Sequence, residues 1–424
     1  MTKKKFLGAM AALLIGGNIF ASNVANAEVK TYTGEGEYLM NDFETPDIAK
    51  QRAKNRAEQN AQEQAGVYLE SYSHMKNFNL LNDEIITISS GIMKILDTQY
   101  RQEVLNDVNA ILIHVTIKAE IDSDNMDKWL NKSIEQRRQI NSQLEELRQE
   151  NAKQEATIEN LKAQLAEGTA TKEQVTQNLQ EQDKVFNFNQ KLEEGWRLYA
   201  AGNYQSAIQS FTDAINIFPR NAYGYFGRGT CYNEIHDNQN AIADYSKSLA
   251  IEPNAFAYNN RGKANFELQN YSAALEDFNK ALQVEPNDAA AYYNRGTLYF
   301  AIQNFNLGIK DFDKAISINP NNANFYVKRA AGYYVFGKMD LALKDLNKAI
   351  KIDPNYYEAY SCRGEVYTAM KDYKAALKDF NKSIQLNPND GETYSQRGNI
   401  YKLLGDEKKA QADFNTAKKM GFVG

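Results

Sequence analysis

The chain has 424 residues and a formal net charge of −5, with 43% hydrophobic and 24% charged residues. This composition is that of a globular protein with room for two or three domains, and it excludes an intrinsically disordered chain. No basic patch interrupts the acidic balance, which argues against nucleic acid as a partner and against simple binding to anionic membranes.

The first 27 residues have the pattern of a secretory signal peptide. Three lysines at positions 3–5 precede an apolar run at 6–20, and the small-residue sequence Ala-Asn-Ala at 25–27 follows it. The run is shorter than the ~20 apolar residues that a membrane span needs. We therefore expect cleavage after Ala27, an exported chain in the periplasm or outside the cell and associated with the envelope, and no membrane insertion once the signal is removed.

Residues 28–122 carry the patterns of one helix and one half-buried strand. Alanine recurs every fourth residue and forms a smooth stripe at Ala49, Ala53, Ala57, Ala61 and Ala65. Between Ile111 and Ile121, apolar and polar residues alternate strictly, as in a strand with one buried face. Together the two patterns predict a small α+β domain.

This N-terminal domain is similar to that of the flagellar ring-assembly protein FlgT and related small envelope proteins. The resemblance is carried by GEGEYLMNDFETPDIAKQRAKNRAEQNAQEQAGVYLESYS (34–73) and DEIITISSGIMKI (83–95). It implies an envelope-associated structural or docking domain and supplies no catalytic residues. The rest of the chain does not follow the flagellar protein.

Residues 124–186 are polar, lack proline and predict a helical or coiled-coil spacer. One seam position of a heptad repeat is filled by Leu130, Leu144, Ile158 and Leu165, and the other by Ile140, Leu147 and Leu161. A single helix up to the break near Gly168 would be roughly 60 Å long. Such a helix either self-associates into a homo-oligomer or stands alone in solvent. After the break, Thr171 and Gln174 predict a capping box that starts the next helix.

Prolines divide the remainder of the chain into regular units. They recur 33 or 34 residues apart, at Pro219, Pro253, Pro286, Pro320, Pro354 and Pro388. With the Arg-Gly pairs, the small residues and the aromatic residues that recur in phase, residues 188–424 resemble the tetratricopeptide repeat (TPR). The resemblance implies a mainly α chain ending in an α-solenoid of about seven helix-turn-helix repeats, which start near residues 188, 222, 255, 289, 323, 357 and 391.

An arginine and an aspartate recur together, sixteen residues apart, in repeats two to seven. The arginines are Arg228, Arg261, Arg295, Arg329, Arg363 and Arg397, and the aspartates are Asp244, Asp277, Asp311, Asp345, Asp379 and Asp413. An arginine on the first helix that faces an aspartate on the second would satisfy a partly buried charge. We interpret the pairs as structural ion pairs rather than as a ligand site.

In the TPR family, positions 2, 5, 9 and 12 of each first helix line a concave groove. The candidate groove residues implied by this resemblance are Trp196, Tyr199, Tyr223, Phe226, Phe256, Asn259, Lys263, Phe266, Tyr293, Phe300 and Tyr334. Asn259 and Lys263 also offer a partial version of the clamp that some family members use for a C-terminal carboxylate. Aromatic residues dominate binding hot spots, although some of these rings could instead pack against neighbouring helices.

The sequence offers little for catalysis. His74, His114 and His236 are scattered, and no metal-ligand spacing, phosphate-binding loop or nucleophile motif is present. We therefore expect no catalytic residues, no metal and no cofactor. The hypothesis is an exported, non-enzymatic scaffold that binds a protein or peptide segment in the groove during envelope assembly. Two alternatives stay open: a coordinator of envelope constriction similar to the Tol–Pal-associated family, and a cell-wall glycan binder.

Overall fold

A computed structural model describes residues 29–40, 46–75, 89, 93–105, 110–122 and 134–422. The predicted signal peptide lies outside these ranges. So do Leu130 and most of residues 76–92. The chain divides into two compact units, residues 1–131 and 132–424. Sixteen helices and three strands lie in the described ranges.

The first unit is a three-stranded antiparallel sheet covered by one helix. Its elements are β1 (Val29–Met40), α1 (Pro46–Met75), β2 (Lys94–Leu105) and β3 (Ala110–Asp122). The strand order is β1-β3-β2, so β3 is central and is paired on both sides. The small α+β domain predicted from the sequence is confirmed in its secondary structure.

Helix α1 packs closely on the sheet because both surfaces are smooth. All five alanines of the predicted stripe are fully buried, as are the inward residues of β3 from Ile113 to Ile121. A Cβ atom on Gly34 would lie 1.9 Å from the carbonyl oxygen of Ala57, and one on Gly36 would lie 2.2 Å from that of Ala53. The glycines of β1 therefore permit the approach of helix backbone to strand backbone.

The segment predicted as a spacer folds back on itself as a helical hairpin of α2 (Ile134–Ala166) and α3 (Lys172–Ala200). The predicted capping box at Thr171 and Gln174 is present at the start of α3. Asn189 Nδ2 donates to Asn151 Oδ1 at 2.8 Å between the two helices. The predicted helix up to the break near Gly168 is present as α2, but it packs against α3, so the alternative of a lone helix in solvent is wrong.

The predicted heptad residues lie inside this single chain. Ile140, Leu144, Leu147, Ile158 and Leu161 are all at most 9% exposed, and α2 packs against α3. Apolar residues at heptad spacing make one buried stripe, and an antiparallel helix of the same chain covers such a stripe as well as a second chain does. The predicted boundary near residue 188 falls within α3, whose final turns serve as the first helix of repeat one.

Fourteen helices, counting α3, form the seven repeats of the solenoid. After α3 they are α4 (Tyr204–Ile217), α5 (Ala222–Glu234), α6 (Asn238–Ile251), α7 (Ala255–Glu267), α8 (Tyr271–Val284), α9 (Ala289–Ala301), α10 (Phe305–Ile318), α11 (Ala323–Val335), α12 (Met339–Ile352), α13 (Tyr357–Ala369), α14 (Tyr373–Leu386), α15 (Gly391–Leu403) and α16 (Glu407–Lys419). Each repeat pairs an odd-numbered helix with the even-numbered helix that follows it. This bears out the predicted fold class.

Small and large residues interlock within each repeat. In repeat four, a Cβ atom on Gly296 would lie 2.8 Å from the ring of Phe312, which is fully buried. The corresponding glycines Gly262, Gly364 and Gly398 meet Phe278, Phe380 and Phe414 in the same way. Only a residue without a side chain leaves room for the ring of the second helix.

Candidate binding groove

The first helices of the repeats form one continuous inner surface. Helices α3, α5, α7, α9, α11 and α13 each contact the first helix of the next repeat, and all seven first helices, α15 included, contact their own second helix. The second helices have closer contacts with first helices than with one another. This arrangement bends the solenoid so that first helices line its concave face.

All six predicted Arg–Asp pairs are formed. In repeat four, Arg295 donates from Nε to Asp311 Oδ2 and from Nη2 to Asp311 Oδ1, both at 2.8 Å. The third nitrogen, Nη1, donates to Asn279 Oδ1 at 2.7 Å on the second helix of the preceding repeat. Each arginine thus joins three helices. The hydrogen bonds that Arg295 donates to Asp311, together with the charge of that carboxylate, raise the pKa of Arg295 against the opposing effect of burial.

The same three-way contact recurs along the solenoid with different acceptors. The Nη1 partners in the preceding repeat are Thr212, Ser246, Asn279, Asp313, Asn347 and Asn381. A tyrosine three residues before each arginine lies under its guanidinium, 5.5 Å away for Tyr292 and Arg295. The arginines are therefore occupied by structural contacts, which leaves them no role in the groove.

Three of the predicted groove residues are buried in the solenoid core. Trp196, Tyr199 and Phe226 are at most 4% exposed. The ring of Trp196 packs 5.2 Å from that of Phe211 and 5.9 Å from that of Phe226, measured between centroids. These positions were predicted to face a partner, and that prediction is wrong because the rings fill the space between helices.

Phe300 is also a packing residue. Its ring contacts Phe305 and Phe312, with centroids 5.2 and 5.1 Å away. Glycines stand on either side of it: a Cβ atom on Gly308 would lie 2.3 Å from the ring, and one on Gly332 would lie 2.7 Å from it. Two neighbouring helices hold this ring, so it is not an open anchor.

The remaining predicted positions are at least partly accessible. Tyr223, Phe256, Lys263, Phe266 and Tyr293 are half-buried, as is Phe300. In contrast, Tyr334 is 37% exposed. Asn259, the other half of the predicted carboxylate clamp, is buried and accepts a hydrogen bond from Asn294 Nδ2 at 2.9 Å.

A ladder of polar side chains runs along the inner face between neighbouring first helices. Asn324 Nδ2 donates to Tyr293 Oη at 3.0 Å, and Tyr356 Oη donates to Asn324 Oδ1 at 3.0 Å. Further along, Gln396 Nε2 donates to Glu365 Oε1 at 2.7 Å. Asn294, Tyr356 and Gln396 did not stand out in the sequence, because their partners lie one repeat away.

Helix α2 occupies the inner face of the first three repeats. Gln136 Nε2 donates to Glu234 Oε1 at 2.6 Å. Gln139 Nε2 donates to Thr230 Oγ1 at 3.4 Å, and Gln139 Oε1 accepts from Asn260 Nδ2 at 3.1 Å. These glutamines follow the helical spacing of the apolar stripe, but their partners lie about 100 residues further along the chain and could not be identified from the sequence.

The far end of the inner face is acidic. Burial raises the pKa of Glu365, the hydrogen bond from Gln396 lowers it, and the nearby carboxylates Glu392 and Asp390 raise it further. Because like charges disfavour ionisation, this end of the groove would be stabilised by a cationic group.

In the described part of the chain, no group of three or more His, Cys, Asp or Glu side chains could hold a metal ion. Within the same ranges, no helix is long and apolar enough to cross a membrane. Neither Cys231 nor Cys362 forms a disulfide bond with another described residue.

Comparison with family models agrees with this geometry. Models of the tetratricopeptide repeat match residues 192–256, 255–288, 289–322, 357–390 and 380–412, and a TPR repeat model matches residues 333–371. The solenoid is built of tetratricopeptide repeats. These matches lie between residues 192 and 412, so the predicted resemblance of residues 28–122 to FlgT stays a prediction. The comparison with curated proteins gave no match.

Several solved TPR structures are similar to this chain. A tetratricopeptide repeat protein from Parabacteroides merdae is 25% identical, with 56% of this chain and 94% of that chain covered and a TM-score of 0.48. PilF from Pseudomonas aeruginosa is 18% identical, with 48% and 94% covered and a TM-score of 0.44. YrrB, described as a TPR protein with an unusual peptide-binding site, is 22% identical, with 44% and 96% covered and a TM-score of 0.37.

Proposed function

We propose that this protein is an exported, non-enzymatic scaffold that binds an extended segment of a partner protein along the inner face of repeats three to seven. A TPR solenoid suggests a scaffold for protein–protein interaction. The observation that supports the finer proposal is the polar ladder of Asn259, Asn294, Asn324 and Tyr356 on that face.

The chemistry of the ladder favours a peptide as the ligand. An asparagine side chain carries both a donor and an acceptor, so it matches the N–H and C=O groups of an extended backbone. Because the ladder amides belong to successive first helices, they form a row. A segment with a regular backbone fits such a row, while Tyr334 and Lys263 supply contacts for individual side chains.

Charge adds a direction to the proposed binding mode. Glu358, Glu365 and Glu392 lie on the first helices of repeats six and seven, whereas Lys263 lies in repeat three. We expect the partner segment to carry lysine or arginine where it meets the last two repeats.

The place of action rests on the sequence of residues 1–27, which has the pattern of a signal peptide. An exported adaptor that recruits a partner suits assembly or organisation of the cell envelope. The alternative coordinator of envelope constriction depended on a self-associating coiled coil. The five heptad residues whose burial the structure describes, from Ile140 to Leu161, are buried within this chain, so they give no support to that alternative or to the predicted homo-oligomer.

The test is to select binders for the full chain from a random peptide library and to measure their affinity for two matched variants. Tyr334→Ala removes an exposed ring from a first helix, and Leu341→Ala removes a similarly exposed side chain, 42% accessible, from the second helix of the same repeat. We expect Tyr334→Ala to weaken binding about tenfold, as for an aromatic hot spot, and Leu341→Ala to leave it unchanged.

Equal sensitivity of the two variants would reject the inner face as the binding surface. Displacement of the selected peptides by soluble cell-wall glycan fragments would favour the glycan-binding alternative instead. In cells, a photo-crosslinking residue belongs at Lys263 or Tyr334 rather than at Phe300, because the ring of Phe300 is enclosed by two helices.

A further inference from the structure

Helix α2 lies in the groove as a ligand would. Gln136 reaches Glu234 near the end of α5. At the other end, burial raises the pKa of Tyr223 to about 12, and a hydrogen bond to Glu146 contributes to the shift. Helix α2 therefore runs antiparallel to α5, and residues 136–146 of α2 extend from the end of α5 to its start. This is the arrangement of a helix bound in a groove.

The contacts of α2 with the repeats are made by buried amides. Gln139 and Gln143 are 5% and 4% exposed. Gln139 uses both ends of its amide, donating to Thr230 of repeat two and accepting from Asn260 of repeat three. Burying an amide is favourable only where both of its hydrogen bonds are formed. The two bonds of Gln139 therefore depend on the relative placement of two successive repeats.

The packing of α2 is less complete than that of the repeats. An open cavity of about 870 Å³ lies between α2, α3 and the start of α5, with Leu147, Phe188, Leu192 and Tyr223 in its lining. Helix α2 packs mainly on α3, whereas a helix within the solenoid packs on the helices before and after it. Lifting α2 away therefore breaks fewer contacts than removing a helix of the solenoid, whose rings meet glycine positions closely.

The connection to α3 allows such movement. Gly168 adopts φ +70°, which favours glycine, and a Cβ atom there would meet no atom within 4 Å. The hairpin turn at 167–171 thus lies apart from the repeats, and α3 begins afresh at its own capping box. Rotation at this turn would leave repeats one to three unchanged.

We propose that the inner face of repeats one to three is a helix-binding surface, and that α2 is its resident, displaceable ligand. Its exchanging occupant is a partner helix with the same chemistry: glutamine-type amides spaced three and four residues apart, as at Gln136, Gln139 and Gln143, beside a stripe like Ile140, Leu144 and Leu147. This rests on the proposed function in one respect, that the inner face binds segments of other chains.

A labelled peptide with the sequence of residues 134–153 tests the surface, with the full chain as receptor and fluorescence anisotropy as the readout. In the chain, Gln139→Ala weakens the resident helix but leaves the groove intact. We expect the peptide to bind this variant about tenfold more tightly than the unaltered chain. Adding Asn260→Ala removes the groove partner and should abolish that gain.

Gln149→Ala is the matched control. Gln149 is an exposed glutamine of α2, and its amide donates to Glu145 within the same helix at 3.0 Å. This variant should bind the peptide as the unaltered chain does. If Gln139→Ala and Gln149→Ala behave alike, or if the peptide binds none of the variants, the proposal fails.

Hydrogen exchange provides a second measurement that needs no peptide. A displaceable α2 exchanges its amide hydrogens at least 100-fold faster than α5 and α7, and Gln139→Ala accelerates exchange in α2 alone. Equal exchange in α2 and α5 would show that α2 is an integral core helix and would overturn the proposal. So would a dimer, detected by light scattering, in which α2 crosses between copies.

The two proposals fail separately. Peptide selection with Tyr334→Ala reports on repeats three to seven, whereas the exchange of α2 reports on repeats one to three. A negative result in one measurement leaves the other interpretable.

Discussion

The recurring arginine is a structural residue whose importance comes from its planar shape. Arg295 bonds two oxygens of Asp311 on its own repeat and one of Asn279 on the preceding repeat. Lysine has the charge but not the forked geometry, so it cannot reach three acceptors at once. One side chain therefore stabilises both the repeat and the stacking of repeats.

We predict that Arg295→Lys lowers the free energy of unfolding by about 1–3 kcal/mol, because hydrogen bonds to charged groups are lost. Arg295→Leu should cost about 3 kcal/mol or more, since it leaves Asp311, 8% exposed, without its partner. Chemical denaturation followed by circular dichroism measures both. Arg220→Lys, in the exposed turn before α5, is the control and should change nothing.

The carboxyl group of Glu365 ionises less readily in the folded chain than in the unfolded chain. Its pKa is raised in the folded chain, first because it is buried. The folded state then binds the proton more tightly than the unfolded state. The side chain of Glu365 therefore stabilises the folded state at pH values below the unfolded pKa of about 4.3. This stabilisation is lost as the pH rises through the higher pKa of the folded state.

Glu365→Gln should therefore raise the free energy of unfolding at pH 7 and change it little near pH 4. The glutamine can still accept the hydrogen bond from Gln396. Denaturation at the two pH values tests this prediction, with the exposed Glu267→Gln of α7 as the control. A loss of stability at pH 7 would contradict it.

Among the elements, the spacing between paired helices is set by matched residues. Repeat four has Gly308 where the other repeats have alanine, and the ring of Phe300 occupies the space that a methyl group would need. In repeat six the same two positions are Thr368 and Ala376. Phe266 and Tyr334 stand at the position of Phe300 in repeats three and five but are paired with alanine, so the close approach of ring and glycine is particular to repeat four.

We predict that Gly308→Ala destabilises the chain by about 1–2 kcal/mol, because overpacking outweighs the gain of about 1 kcal/mol in helix propensity. In the Phe300→Thr background, which copies repeat six, most of that penalty should disappear. A double-mutant cycle on the free energy of unfolding measures the coupling. Additive effects would show that the ring and the glycine are independent.

The hairpin of α2 and α3 shows that apolar residues at heptad spacing are compatible with several kinds of helix packing. A buried apolar stripe requires a covering surface, but its spacing does not say which surface. Here α3 covers the C-terminal part, with Asn151 bonded to Asn189, and the repeats cover the N-terminal part through Gln139.

For the whole molecule, the proposed role requires that the chain leave the cytoplasm. We predict that the mature protein begins at Glu28, which N-terminal sequencing or intact mass of the protein from its own cells would show. Ala27→Phe should block cleavage and accumulate the full-length chain, because a small residue is needed there. Asn26→Gln, one position earlier, should be cleaved normally. Cleavage at another site or none would contradict the prediction.

Local sequence determined the solenoid, the ion pairs and the α+β unit of this protein. Proline at a fixed period ends each repeat, a small residue admits each ring, and Arg–Asp pairs recur at a constant separation, so every one of these features is specified within a few turns of helix. The capping box at Thr171 was equally readable, because both of its partners lie within one turn.

Tertiary structure alone decided which part of the groove is open. The positions of Trp196, Phe226 and Phe300 were readable as inner-face aromatics, but whether a ring is buried depends on neighbours one repeat away. The placement of α2 over Thr230 and Asn260 depends on two hydrogen bonds of Gln139. Their partners are separated from it by 91 and 121 positions in the sequence. Such contacts depend on how the folded helices pack against one another. A periodic pattern in the local sequence does not contain that information.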